Sequence, residues 1–180
     1  MTLIMMLSLL SGSHAAERGT VAAEHSRLTE EMRGQAARER WEAVDSHYRQ
    51  LLALRGADMR YEDHWLGAQA SSNQGDVQST WQRLKHALDE EFTDEALTWW
   101  ATLNVQYGEV HLIVKADEPT VSLTIAEMPF EPEKRATIAA AQAALQADRA
   151  FHGLLPLGQY QLNEMSFEII GGPAVREVIR

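Results

Sequence analysis

The chain has 180 residues, of which 45% are hydrophobic and 23% charged, and its formal net charge is −10 at pH 7. Such a globular composition provides one sizeable core or two small ones. An acidic chain lacks the basic surface that phosphate contacts require, so nucleic-acid binding and binding to anionic membrane surfaces are disfavoured. The absence of cysteine excludes a thiol nucleophile, disulfides and cysteine-ligated zinc.

The N-terminus has the pattern of an export signal. No charged side chain occurs before Glu17, and an apolar run covers Leu3–Leu10. Small residues precede a cleavage site between Ala15 and Ala16, which predicts a signal peptide over residues 1–15 and a periplasmic or secreted protein. The run is too short to cross a bilayer, so we expect no integral span after processing. No Lys or Arg precedes it, and a core helix in a cytoplasmic protein is the alternative.

Residues 16–40 are charged, rich in alanine and nearly free of bulky apolar side chains, which predicts a linker or frayed helix. From Trp41 onwards the apolar residues recur at helical spacing, and Thr93 has the features of an N-cap. Short connections between helices favour antiparallel neighbours. The predicted helices cover about residues 41–54, 61–73, 77–90 and 94–107.

Part of this region resembles a tetratricopeptide repeat. The matching residues are Trp65-Leu66-Gly67-Ala68, Gly75-Asp76, Thr80, Leu84, Ala87 and Leu88. The resemblance, over residues 41–107, implies a helix with a Leu-Gly pair packed against a second helix that follows a Gly-Asp turn. Ala70 stands where the family has an aromatic residue and Thr80 where it has alanine, and about one repeat is complete. A generic bundle of helical hairpins would show the same periodicity.

The second half changes to a period of two, which predicts a β-domain over residues 108–171. Strands are expected at residues 109–115 and 120–125, with a turn at residues 116–119 between them, and a hairpin around Asn163-Glu164. An alanine-rich helix is predicted over about residues 133–148. Gly171-Gly172-Pro173 marks the expected end of the domain, and residues 172–180 are predicted to be a flexible tail.

The stretch Leu155-Pro156-Leu157-Gly158-Gln159-Tyr160 resembles the corner before the last strands of PEGA-like and carboxypeptidase-regulatory-like β-sandwiches. The Pro-Glu-Gly-Ala tetrapeptide is absent, and a helix is inserted where those families continue with strands. Together the patterns predict an α+β protein: antiparallel, tetratricopeptide-like helical hairpins, then a small antiparallel β-domain with one inserted helix.

We find no local signature of catalysis, of a cofactor or of a metal site. His47, His64, His86 and His111 fall on separate elements without a ligand spacing such as HExxH. The acidic cluster over residues 89–95 lacks the spacing of a calcium loop and is interpreted as a solvated junction of two helices. The chain is therefore predicted not to be an enzyme, and an enzyme whose site assembles only in three dimensions is the alternative.

Aromatic residues are the candidates for partner binding. Trp99 and Trp100 lie about 100° apart on one helix, so both cannot face the same core. One of them is expected to contact the β-domain and join the two halves, and structural packing is the favoured role of these rings. The alternative is that Tyr61, Trp65 and one of these two tryptophans line a concave groove, the surface on which tetratricopeptide-like platforms bind extended peptides. The leading hypothesis is a scaffold protein of the cell envelope that binds a protein or peptide partner.

Overall fold

The computed structural model describes residues 8–179 of the chain. Within these residues, five helices precede the first strand and a sixth lies between the second and third strands, so the α+β prediction is confirmed. The helices are α1 Ser8–Ala36, α2 Trp41–Ala53, α3 Tyr61–Asn73, α4 Val77–Glu90, α5 Asp94–Gln106 and α6 Pro132–Asp148. The strands are β1 Tyr107–Ile113, β2 Leu123–Ile125, β3 Ala150–Pro156, β4 Gly158–Leu162, β5 Met165–Ile169 and β6 Gly172–Ile179.

Helix α1 corrects the prediction that residues 16–40 form a linker or frayed helix. Its residues up to Ala36 are helical, and Leu28 and Met32 are buried against α2 and α3. These two side chains lie four residues apart, so they share one face of the helix. The prediction failed because the rest of that buried face is polar, including His25 and Thr29.

In the series α2, α3, α4 and α5, each helix packs against its neighbour in the chain. Two of the connections are closed by side-chain caps, because Asp76 accepts a hydrogen bond from the Ser79 amide and Thr93 accepts one from the Ala96 amide. Gly67 lets α3 approach α2 closely, since a Cβ atom there would lie 2.6 Å from the Tyr48 ring.

The strands form two three-stranded sheets with the orders β3-β1-β6 and β2-β4-β5. Strands β4 and β5 form the predicted hairpin. The strands on either side of the predicted turn at residues 116–119 do not pair, because β1 pairs with β3 whereas β2 pairs with β4. Both sheets and α6 share one core, which contains Leu112, Leu162 and Leu145.

Strand β6 corrects the prediction of a flexible tail over residues 172–180. It pairs with β1 in parallel, and Val178 is buried opposite Leu112. A parallel pairing between such distant segments leaves no hairpin signal in the local sequence, which is why the pattern missed it. No helix within residues 8–179 is long and apolar enough to cross a membrane.

Candidate peptide-binding groove

Tyr61, Trp65 and Trp99 lie together between α3 and α5. The rings of Tyr61 and Trp65 are stacked with centroids 5.9 Å apart, and the Trp99 ring meets Trp65 edge to face at 5.3 Å. The Tyr61 hydroxyl lies 2.9 Å from the Thr93 hydroxyl, at the N-cap of α5. These contacts fix the start of α5 against α3.

A groove of about 670 Å³ opens beside these rings. It is lined by Trp65, Gln69, Ser72 and Asn73 from α3, and by Asp94, Glu95, Thr98 and Trp99 from α5. Side chains three, four and seven residues apart share one face of a helix, so each helix presents a single face to this aromatic groove. Both indoles are only partly buried, which leaves aromatic surface open to a ligand.

The aromatic groove is acidic. Asp94 and Glu95 are exposed in the first turn of α5. Their negative charges also interact favourably with the positive end of the helix dipole there. No Lys, Arg or His is found among the described residues that line the groove. The side-chain amide of Gln69 forms no hydrogen bond with another described residue, so it can pair with a ligand.

Trp100 lies apart from this groove. Its ring stacks on Trp81 with centroids 5.6 Å apart, and both pack near Tyr107 and Leu154 at the junction with the β-domain. Gln78 reinforces the junction, because its side-chain oxygen accepts a hydrogen bond from the Leu154 amide at 2.8 Å.

A buried polar network, centred on Asp63, connects α1 and α3. The Asp63 side chain is fully buried and accepts hydrogen bonds from the Thr29 hydroxyl at 2.6 Å and the Arg60 amide at 3.0 Å. The His25 Nε2 atom lies 2.9 Å from Asp63 Oδ2, the same oxygen that accepts from the Arg60 amide. At the rim, Arg33 pairs with Glu62. Buried carboxylates need such partners, so the network positions α1.

A second buried group joins α2, α3 and α4. Arg83 forms an ion pair with Asp45 at 2.7 Å and donates to the Gly67 carbonyl at 2.7 Å. Its guanidinium also lies 4.3 Å from the centre of the Tyr48 ring. Burial raises the pKa of Tyr48 to about 12, so its hydroxyl stays protonated at neutral pH.

His64 is buried beside this group, with its ring nitrogen 3.0 Å from the Tyr48 hydroxyl. Burial holds the pKa of the His64 imidazole below its usual value, and the neighbouring His86 and Arg83 lower it further, against the opposing effect of Asp63. None of these side chains lines the aromatic groove. Neither network was predicted from the sequence, where the available signal was a polar residue on a helical face that also carries apolar residues.

No group of three or more residues within the described part of the chain is arranged to hold a metal ion. His111 and His152 face each other across β1 and β3 with ring centroids 5.6 Å apart, and Glu109 lies 2.9 Å from the His152 ring nitrogen. The acidic cluster near Phe92 lies where α4 ends and α5 begins, and it is exposed.

The structure thus brings Tyr61, Trp65 and Trp99 together, but of these only Trp65 and Trp99 line the groove, because Tyr61 stacks on Trp65 and reaches Thr93. Trp100 lies at the contact with β3. The predicted cleavage residues Ala15 and Ala16 lie within α1, while the first seven residues of the predicted signal peptide lie outside the described residues. Comparisons of the chain with protein-family models, curated proteins and solved structures found no match.

Proposed function

We propose that the chain is a non-catalytic interaction protein whose aromatic groove binds an extended peptide segment of a protein partner. The observation that carries this proposal is the pair of partly buried indoles, Trp65 and Trp99, beside a groove of about 670 Å³. Rigid aromatic side chains provide contact area at a low entropic cost, and neighbouring amides can pair with peptide backbone groups.

We also propose that α2 to α5 are tetratricopeptide-like hairpins. Gly67 supports this, because its missing Cβ lets Tyr48 pack against the α3 backbone. The groove between α3 and α5, two helices apart in the chain, supports it as well. In that arrangement the groove is the concave surface used for extended ligands.

A non-catalytic function is favoured over an enzyme by where the titratable groups lie. His64 has a displaced pKa, but it is buried in a packed network whose hydrogen bonds are made within the protein. The groove itself has carboxylates, amides and hydroxyls, and no described His or Lys lines it that could activate Ser72 as a nucleophile. A network that is satisfied internally stabilises a fold more readily than it performs chemistry.

Export to the cell envelope remains our proposal for localisation, with a cytoplasmic adaptor as the alternative. Cleavage after Ala15 would retain the residues of α1 that are described as buried, from His25 to Met32. Mass spectrometry of the mature protein from fractionated cells tests this. An N-terminus at Ala16 in the periplasmic fraction is expected, and a chain that keeps Met1 in the cytosol would contradict export.

Site-specific photocrosslinking tests the binding function. A benzoylphenylalanine at Ser72, an exposed position on the groove, should crosslink to members of a random peptide library. The same group at Gln50, an exposed position on α2, is the matched control. Equal crosslinking from the two positions would refute the groove as the binding surface.

A further inference from the structure

We infer that the ligand of the aromatic groove is a basic peptide segment, with a Lys or Arg side chain seated between the indole rings and the carboxylates of Asp94 and Glu95. This inference rests on the proposed function and gives its partner a chemistry. The groove supplies partly exposed aromatic surface and negative charge together, and that combination selects cations.

The aromatic part of the groove suits a cation. The ring planes of Trp65 and Trp99 make an angle of 88°, so the two indoles present differently oriented surfaces to the same groove. Indole faces attract ammonium and guanidinium groups more strongly than other aromatic rings do. A neutral apolar side chain would gain from the same rings, so the aromatic residues alone do not fix the sign of the ligand's charge.

The carboxylates fix that sign. Asp94 and Glu95 line the groove, and neither forms an ion pair with a described residue. The acidic residues Glu90 and Glu91 precede them at the end of α4, and the whole chain carries a formal charge of −10. An acidic peptide would bring like charges together at this surface, whereas a basic one is attracted at long range and paired at short range.

A second depression indicates that the bound segment is extended. It has a volume of about 750 Å³ and shares Asn73 with the aromatic groove. Its lining is Glu39, Arg40, Trp41, Glu42, Ala43, Asn73 and Gln74. The surface therefore continues from Trp99 past the end of α3 to Trp41, with an aromatic ring and two carboxylates at each end. Arg40 lies beside the second pair of carboxylates, Glu39 and Glu42, so that end keeps a net negative charge. A bound peptide can follow this path with its backbone near the amides of Gln69 and Asn73.

Selection from a random twelve-residue peptide library tests the inference. The wild-type chain should enrich peptides with Lys or Arg. The double variant Asp94→Asn, Glu95→Gln should bind the enriched peptides about tenfold more weakly in fluorescence anisotropy, as expected for the loss of two surface charge pairs. The variant Glu90→Gln, Glu91→Gln is the matched control, because it removes the same charge beside the groove. It should retain affinity within about twofold.

Each result separates the ligand class from the binding function. Enrichment of neutral or acidic peptides that depends on Trp65 would overturn the basic ligand and leave the proposed function standing. Equal losses in the two charge variants would also overturn it, since the attraction would then be a general field. If the wild type enriches no more peptide than Trp65→Leu does, the proposed function fails as well.

The variant Glu42→Gln tests the extended path. It should weaken binding of the twelve-residue peptide but not binding of the six-residue half that occupies the aromatic groove. An equal effect on the affinities of both peptides would contradict the extended path.

Discussion

At the scale of single residues, the helical half depends on polar groups that are buried and paired. Asp63 is fully buried, and its carboxylate is contacted by His25, Thr29 and the Arg60 amide. Removal of one partner from such a group leaves the others without hydrogen bonds in a site that water does not reach. The cost of an unpaired buried group exceeds the net gain of a made hydrogen bond.

We therefore expect Asp63→Ala to lower the free energy of unfolding by about 2–3 kcal/mol. Urea denaturation followed by circular dichroism measures this change. Asp58→Ala, at an exposed position shortly before α3, is the control and should change stability by less than about 0.5 kcal/mol. Equal stabilities of the two variants would show that the buried network contributes nothing to α1 packing.

His64 makes stability depend on pH. Burial, His86 and Arg83 hold the pKa of its imidazole below the usual value of 6.5, so the unfolded chain takes up the proton first as the pH falls. The contribution of His64 to stability is therefore complete above about pH 6.5 and is lost as the pH falls below that value. His64→Gln, whose amide can still pair with the Tyr48 hydroxyl, should show a shallower loss between about pH 7 and about pH 5 in urea denaturation. Parallel curves for the two proteins would contradict this.

At the scale of elements, close approach of α2 and α3 depends on Gly67. A Cβ atom there would overlap the Tyr48 ring, and Tyr48 cannot move without disturbing Arg83 and His64. We expect Gly67→Ala to destabilise the protein by about 1–3 kcal/mol in thermal or urea unfolding. Gly34→Ala is the matched control, because that glycine also lies in a helix and its Cβ would meet nothing within 4 Å. It should be neutral or stabilising by up to about 1 kcal/mol, and a Gly67→Ala protein as stable as this control would refute the close-packing account.

The elements also show what the sequence could predict. Helices α2 and α4 have amphipathic apolar stripes, and side-chain caps mark the starts of α4 and α5, so periodicity and capping signals could find helices in this region. Among the residues of α1 whose burial the structure describes, 19–36, only Leu28 and Met32 are large, apolar and buried, and the rest of the inner face relies on partners distant in the chain. Strand β6 depends on β1, which precedes it by some sixty residues, and no local pattern encodes that pairing. The angle between Trp99 and Trp100 predicted that they could not face the same core, but both rings border the cluster that contains Leu84. They differ because only Trp100 also packs against Trp81, and no pattern could identify which of them would line the groove.

At the scale of the whole molecule, the two halves are joined by an aromatic junction. Trp81 is buried against Trp100, Tyr107 and Leu154, so it contacts both the helical region and the β-domain. Gln78 adds a hydrogen bond to the β3 backbone in the same place. A junction that buries large rings couples the stability of the parts on either side of it.

We expect Trp81→Ala to lower the protection of amides in β3 as well as in α4, by about 3–5 kcal/mol in native-state hydrogen exchange. Phe92→Ala is the control, because that ring is 75% exposed and should leave both elements protected. Loss of protection confined to α4 would show that the halves unfold independently.

The central claim is that Trp65 and Trp99 form the binding surface while Trp100 supports the fold. The indole N–H resonances of the five tryptophans report on this directly in a two-dimensional NMR titration with a Lys-rich peptide selected by the wild-type chain. The account predicts that the signals of Trp65 and Trp99 shift with peptide concentration and that those of Trp81 and Trp100 stay in place. Shifts confined to Trp81 and Trp100, or a selected peptide that moves none of the five signals, would contradict it.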